Sequence, residues 1–157
     1  MTPAVSTHDF EIRVALFRLF KSVQEGVFIG ALEPDDTLKT LVANPYLKLM
    51  FGYEPNIPNS KIQPFDETYF VDAKAHRAFI DQLMRDGSVI DYLLRLRRKD
   101  NTLIWVEVTA RLDSATENKT QYINALLRDV SERRKLEDQG RDVHHQLLQA
   151  EKLAALG

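Results

Sequence analysis

Two adjacent stretches of alternating apolar and polar residues, 88–98 and 102–112, are separated only by Lys99-Asp100-Asn101. Alternation with a period of two is typical of strands with one buried face, and Asp and Asn accept the left-handed backbone of a tight turn. The pattern therefore predicts an antiparallel hairpin. We expect its second strand to bury one set of side chains and to present the other set outward: Ile104, Val106, Val108 and Ala110 inward, and Trp105, Glu107, Thr109 and Arg111 outward.

Shorter segments on both sides of the hairpin extend this pattern. Strands are predicted at 27–31 and 38–43, with a turn at 33–36 between them, and a last strand at 120–127 after a polar loop at 113–119. Asn44-Pro45 is typical of a helix start and Phe51-Gly52 of its end. A longer helix is expected at 72–85, where Gly87 ends it. Pro55, Pro58 and Pro64 leave room only for short helical turns between these helices. The prediction is an α+β fold with five strands.

Two amphipathic helices flank this body. At 7–23 the residues Phe10, Phe17 and Phe20 lie on one helical face, which favours either packing on the domain body or a dimer contact. A second helix begins near Asp129, three residues before Glu132 as in a capping box. Its apolar residues form a heptad seam that Gly140 interrupts, namely Leu136, Val143, Leu147, Ala150 and Ala154. This seam predicts a parallel coiled coil and a homodimer.

Composition excludes several classes of function. Lys and Arg number 21 against 23 Asp and Glu, so the net charge is −2, and a generally basic nucleic-acid binder is not expected. The run from Arg95 to Lys99 is interpreted as a solvated strand end. The chain has no Cys, which removes disulfides, thiolate zinc sites and a cysteine nucleophile. We find no apolar run of the roughly 20 residues that a membrane span needs and no secretory signal, so we expect a cytoplasmic protein without a membrane span.

Several fragments, taken in order, resemble a PAS domain, the small sensor module of signalling proteins. They are Glu25-Gly26-Val27-Phe28-Ile29, Val42-Ala43-Asn44-Pro45, Phe51-Gly52-Tyr53, the hairpin with Trp105-Val106-Glu107-Val108, and Asp129-Val130-Ser131-Glu132-Arg133. The resemblance implies a five-stranded antiparallel sheet with helices on one face, in agreement with the elements predicted above. It also implies that Asp129, Val130 and Ser131, where strand meets helix, couple the sensor to the exit helix.

Residues 147–157 resemble the start of the dimerisation helix of sensor histidine kinases. The resemblance implies a downstream kinase core and a phosphoacceptor His beyond this stretch, so we interpret His144 and His145 as linker residues. We divide the chain into an amphipathic helix at 1–23, a PAS domain at 24–130 and a signalling helix at 131–157. The fragment is expected to have no enzyme activity, since no phosphate loop, catalytic triad or metal spacing is present.

His76 is the candidate ligand of a cofactor. The string from His76 to Ile80, with Gly87 eleven residues after His76, resembles the proximal helix of haem-binding PAS sensors. The resemblance implies haem b with His76 as an axial ligand, and His76 would then bind a metal only through the haem iron. The alternative is a structural His76, which would hydrogen-bond a carbonyl or polar group. A distal Arg is not evident, because Arg95 and Arg97 share a strand face with Leu93 and are expected opposite Ile90, Tyr92, Leu94 and Leu96. FMN is not expected, because the adduct-forming thiol of flavin photosensors cannot exist without Cys.

Two functions remain open at this point. The chain is either the sensory input and dimerisation module of a histidine kinase, with a small molecule or haem in its pocket, or a ligand-free protein-interaction and dimerisation module. The resemblance names neither the signal nor the ligand.

Overall fold

The computed structural model describes residues 7–34, 37–114 and 120–156. Its elements along the chain are α1 (Thr7–Ser22), β1 (Gly26–Leu32), β2 (Leu38–Ala43), α2 (Pro45–Phe51), α3 (Ala73–Asp86), β3 (Ser88–Arg97), β4 (Leu103–Ser114), β5 (Gln121–Asp129) and α4 (Ser131–Leu156). Two short 3₁₀ turns, Asn59–Lys61 and Glu67–Tyr69, precede α3, in the proline-rich stretch where only short turns are predicted. Five of these elements form one antiparallel sheet in the order β2-β1-β5-β4-β3. The predicted α+β fold is confirmed.

The hydrophobic core lies between the sheet and the helices α2 and α3. The alternation predicted for β4 is present, since Ile104, Val106, Val108 and Ala110 are all buried. Helix α3 packs Phe79 and Leu83 onto this face of the sheet, and α2 contributes Leu47, Met50 and Phe51. The outward residues Trp105 and Glu107 are consequently left on the opposite side, away from this core.

The helix caps follow the predicted residues. The side chain of Asn44 accepts the N–H of Leu47 at the start of α2, and Gly52 ends that helix at φ 81°. Asp72 accepts the N–H of Lys74 at the start of α3, and Gly87 ends α3 at φ 74°. Left-handed backbone of this kind costs Gly little, because Gly has no Cβ.

Asn44 also fastens the end of α1 to the domain. It is fully buried, and its Oδ1 accepts the N–H of Val27 at 2.9 Å in addition to that of Leu47 at 3.0 Å. Its Nδ2 donates to the carbonyls of Glu25 at 2.8 Å and Phe20 at 3.4 Å. One side chain therefore connects α1, β1 and α2.

The structure corrects the predicted face of Ile90. Val89 pairs with Ala110 and Tyr92 pairs with Val108, so Ile90 and Asp91 together oppose Thr109 in a β-bulge. Asp91 has a φ of 49°, and its N–H donates to Thr109 Oγ1 at 3.1 Å. Ile90 is 77% exposed rather than on the inner side with Tyr92, because the extra residue reverses the alternation.

Two boundaries of the last hairpin are also different from those predicted. Strand β4 continues to Ser114, which pairs with Gln121, so the polar loop begins later than residue 113. Strand β5 continues to Asp129, which pairs with Val106, two residues beyond its predicted end, and the helix begins at Ser131, where the signalling helix 131–157 is predicted to begin. In both places polar residues continue the ladder because the neighbouring strand supplies their hydrogen-bond partners. The predicted turn residues Asp35 and Asp36 and most of the predicted loop, 115–119, lie outside the described residues.

Candidate functional site

A partly enclosed cleft lies beside α3, at the end of the sheet where β1, β2 and β5 meet. Its volume is about 460 Å³, within the range of about 300–1,000 Å³ typical of small-molecule sites. Its lining is apolar apart from one imidazole: Leu32, Leu38, Phe65, His76, Ile80, Leu83, Met84 and Ile123. The helix periodicity predicts an apolar face on α3, but the strand ends that complete the cleft come from three separate parts of the sequence.

His76 lies in the first turn of α3 and is half-buried. Its Nε2 is 3.0 Å from the carbonyl oxygen of Phe65, and its ring meets the edge of the Phe70 ring at a centroid distance of 4.7 Å. A carbonyl oxygen can only accept, so Nε2 carries the hydrogen and Nδ1 is the acceptor of the neutral ring. This is the hydrogen bond expected of a structural His76.

The interior next to His76 does not fit a haem as it is packed. The centroid of the Phe65 ring lies 5.2 Å from that of the Phe79 ring and 5.4 Å from that of the Phe28 ring. Aromatic rings therefore occupy the space between α3 and the sheet. Ligation through Nε2 would also break the bond to Phe65. The axial role of His76 stays a prediction, and an absorption spectrum of the purified protein with its Soret region tests it.

Other polar groups in the segment that precedes α3 have structural partners. Asp66 accepts the backbone and side-chain hydrogen bonds of Thr68, which hold the pKa of its carboxyl below the ordinary value, with a smaller contribution from His76. Burial raises the pKa of the Tyr69 hydroxyl, and its hydrogen bond with Tyr53 raises it further. Within the described ranges, no three His, Asp or Glu side chains are grouped so as to hold a metal ion.

The junction between β5 and α4 is the second candidate site. The Oδ1 of Asp129 accepts the N–H of Ser131 at 2.9 Å, and the hydroxyl oxygen of Ser131 accepts the N–H of Trp105 at 2.8 Å. The N–H of Val130 donates to the carbonyl of Trp105 at 2.8 Å. The three residues predicted to couple sensor and helix are thus all in one network with the backbone of β4.

Side chains on the outer face of β4 hold the first turn of α4. Glu107, which is 14% exposed, accepts hydrogen bonds from Arg128 at 2.6 Å and from Arg133. These arginines, Arg128 first, hold the pKa of Glu107 below its ordinary value. The guanidinium of Arg134 lies 4.4 Å from the centroid of the Trp105 ring, and that of Arg95 lies 4.8 Å from it. Trp105, Glu107, Arg133 and Arg134 are called the junction cluster below.

Sequence reasoning missed the junction cluster as a functional unit. Its signal is present in the sequence, since Trp105 and Glu107 share the outer face of β4 and Arg133-Arg134 follow the predicted helix start. The sequence does not reveal the strand register. This register pairs Asp129, at the end of β5, with Val106, and so places the start of α4 beside Trp105.

The residues predicted at a dimer contact are mostly on the surface. Phe10 is 62% exposed and Phe17 is also exposed, whereas Phe20 is half-buried next to the body of the domain. Leu136, Val143, Leu147 and Ala150 are exposed along α4. Among the described helices, none combines the length and the hydropathy that crossing a membrane requires.

A five-stranded antiparallel sheet, a helix-covered cleft and a long exit helix fastened to the sheet define a small sensor-type domain. A family model described as PAS domain matches residues 24–132, well over half of the chain, and the chain belongs to that family. No curated protein matches it significantly.

Solved structures share this fold at low sequence identity. The PAS domain of a protein from Colwellia psychrerythraea is 15% identical, with a TM-score of 0.58 over 77% of this chain and 98% of that one. A sensory box histidine kinase/response regulator from Burkholderia thailandensis is 18% identical, with a TM-score of 0.56 over 85% of this chain and 98% of that one. An RNA-binding light-oxygen-voltage receptor is 19% identical, with a TM-score of 0.64 over 92% of this chain but 41% of the receptor. At these identities the likeness establishes the fold.

Proposed function

We propose that this chain is the sensory input and dimerisation module of a histidine kinase, and that a change in its cleft reaches α4 through the junction cluster. The observation that carries the proposal is the double role of β4. Its inward residues Val106 and Val108 are part of the core, and its outward residues Trp105 and Glu107 hold the first turn of α4. A displacement of β4 would therefore affect the hydrophobic core and the first turn of α4 at the same time.

The kinase assignment has two further supports. One is the resemblance of residues 147–157 to the dimerisation helix of sensor histidine kinases, and the other is the shared fold with the Burkholderia thailandensis kinase. On this proposal the chain has no catalytic activity of its own, acts in the cytoplasm and passes its signal to a kinase core that follows α4.

The test of coupling uses the parent kinase with two variants on the same strand face. Glu107→Gln removes the charge that binds Arg128 and Arg133, and we expect a change of at least about threefold in basal autophosphorylation. Arg111→Gln is the matched control, because Arg111 lies on the outer face of β4 and pairs only with the exposed carboxylate of Asp113 among the described ion pairs. Equal output from wild type, Glu107→Gln and Arg111→Gln would refute coupling through the junction cluster.

Dimerisation is proposed from the exposed apolar seam of α4. Leu136 and Leu147 are each more than half exposed, and an isolated helix gains stability when such a seam is paired. Sedimentation equilibrium should give a dimer for the wild-type chain and a weaker dimer for Leu136→Ser with Leu147→Ser. A monomer mass for the wild type up to high micromolar concentration would contradict the proposal.

A ligand-free interaction module is the second candidate. It is supported by the exposed apolar surface of α1 and α4, which would serve association without any ligand. It predicts no retained small molecule in mass spectra of denatured protein and no response of the junction to compounds that enter the cleft.

A further inference from the structure

We infer that the cleft beside α3 binds a neutral, medium-sized hydrophobic alcohol or phenol, with the ligand hydroxyl directed to His76. This inference rests on the proposed function, since it names the ligand class of the same sensor. Its first basis is shape and polarity: a cleft of about 460 Å³ has one polar side chain among eight lining residues. An ion would lose its hydration there without gaining a charged partner, so a neutral ligand is favoured.

The adjoining surface gives no preference for a charged head group. A shallower groove of about 440 Å³ shares His76 and Ile80 with the cleft. Its charged residues are balanced, with Lys74 and Arg77 opposed by Glu67 and Asp81. A carboxylate or an ammonium group placed at the mouth would therefore meet attraction and repulsion of similar size.

The hydrogen bond of His76 selects the polar group of the ligand. Nε2 is committed as a donor to the carbonyl of Phe65, so the remaining ring nitrogen, Nδ1, is an acceptor in the neutral imidazole. On this inference a ligand hydroxyl donates to Nδ1 from the cleft, which an ether or a ketone of the same shape cannot do. The apolar body of the ligand would contact Ile80, Leu83 and Met84 along α3.

The experiment compares four probes of similar length: 1-octanol, its methyl ether, octanoate and octylamine. Each is titrated into the purified chain while methyl NMR signals of Ile80, Leu83 and Met84 are followed. We expect 1-octanol to shift these signals, to bind about two- to tenfold more tightly than the ether, which is the range of a net hydrogen bond, and to bind more tightly than either ion.

Variants separate this site from general apolar binding. His76→Phe keeps an aromatic ring but has no acceptor, so the ratio of octanol to ether affinity should fall to about one, a readout that altered stability alone would not move. Met84→Trp enlarges an exposed side chain that lines the cleft and should weaken 1-octanol binding at least about tenfold. Leu153→Ser, on the exposed surface of α4, is the control and should leave binding unchanged.

Each alternative result overturns the inference. The inference is wrong if octanoate or octylamine binds more tightly than 1-octanol, or if 1-octanol and its methyl ether bind equally well. It is also wrong if the NMR signals that shift lie only in α1 or α4, or if no probe binds. The proposed function is measured separately through Trp105, the only Trp of the chain, whose fluorescence reports the junction cluster. Octanol binding at the cleft without a change in Trp105 emission would refute coupling and keep the ligand class. Failure of all four probes with altered kinase output in Glu107→Gln would refute the ligand class and keep the coupling.

Discussion

Replacing Asn44 with Ala should remove the buried hydrogen bonds that connect α1, β1 and α2. The carboxamide is fully buried and makes four hydrogen bonds, two of them accepted from the N–H groups of Val27 and Leu47. In Asn44→Ala these two N–H groups lose their partner where water has little access. A buried donor left unsatisfied costs about 1–3 kcal/mol, so two such donors predict a loss of about 2–6 kcal/mol in the free energy of unfolding.

Urea unfolding followed by far-UV circular dichroism measures this loss. Asn44→Ser provides a graded comparison, because a Ser hydroxyl still caps Leu47 but is too short to reach β1, and a loss of about 1–2 kcal/mol is expected. Asp66→Ala is the matched control: its carboxylate also accepts a backbone N–H, that of Thr68, but at an exposed position where water replaces the bond. If Asn44→Ala lowers the free energy of unfolding no more than Asp66→Ala does, the burial of the Asn44 hydrogen bonds adds nothing to stability and the prediction is wrong.

Three other perturbations have defined outcomes. Asp129→Ala loses the bond to the Ser131 N–H and should cost about 1 kcal/mol in urea unfolding while shifting basal output of the parent kinase; unchanged output across signal levels would exclude a coupling role. The pKa of Glu107 is lower in the folded protein than its ordinary value of 4.5. Its ion pairs therefore stabilise the fold fully above pH 4.5, and this stabilisation is lost as the pH falls through the pKa of the folded protein. Glu107→Gln should consequently weaken the dependence of stability on pH in the acid range. Gly30→Ala places a Cβ 2.7 Å from the ring of Phe28 and should cost about 1–3 kcal/mol. Gly140→Ala adds a Cβ that meets nothing within 4 Å beyond its own stretch of helix, so it should stabilise α4 by up to about 1 kcal/mol. Thermal and urea unfolding of the two Gly variants should move in opposite directions.

Most of the elements could be predicted because their signals are local. The strand alternation of β4, the Asn44-Pro45 helix start and the Gly87 stop each depend on residues a few positions apart, and the structure has all three. The sites depend on distant residues. The bond from Trp105 to Ser131 spans 26 positions, and the cleft combines strand ends with α3. No pattern of neighbouring residues reveals contacts between such distant positions, so the coupling role of Asp129, Val130 and Ser131 is a prediction from the family resemblance alone.

Ile90 is predicted on the inner face of β3 but is exposed, because it lies in a β-bulge that also positions a charged residue near the junction cluster. Alternation along β3 gives the correct face for Leu94 and Leu96, and the error is confined to Ile90, which lies in the bulge itself. Asp91 takes a left-handed φ that its short polar side chain tolerates, and Thr109 accepts its N–H, so the extra residue is stabilised by a partner on another strand. The bulge also brings the carboxylate of Asp91 to 3.9 Å from Arg128, the arginine that binds Glu107 at 2.6 Å. Arg128 therefore has a second carboxylate within reach, and a small shift of β3 relative to β4 would redistribute Arg128 between the two. On the proposed coupling, we expect such a movement at the edge of the sheet to change the contact between Glu107 and Arg133 at the first turn of α4.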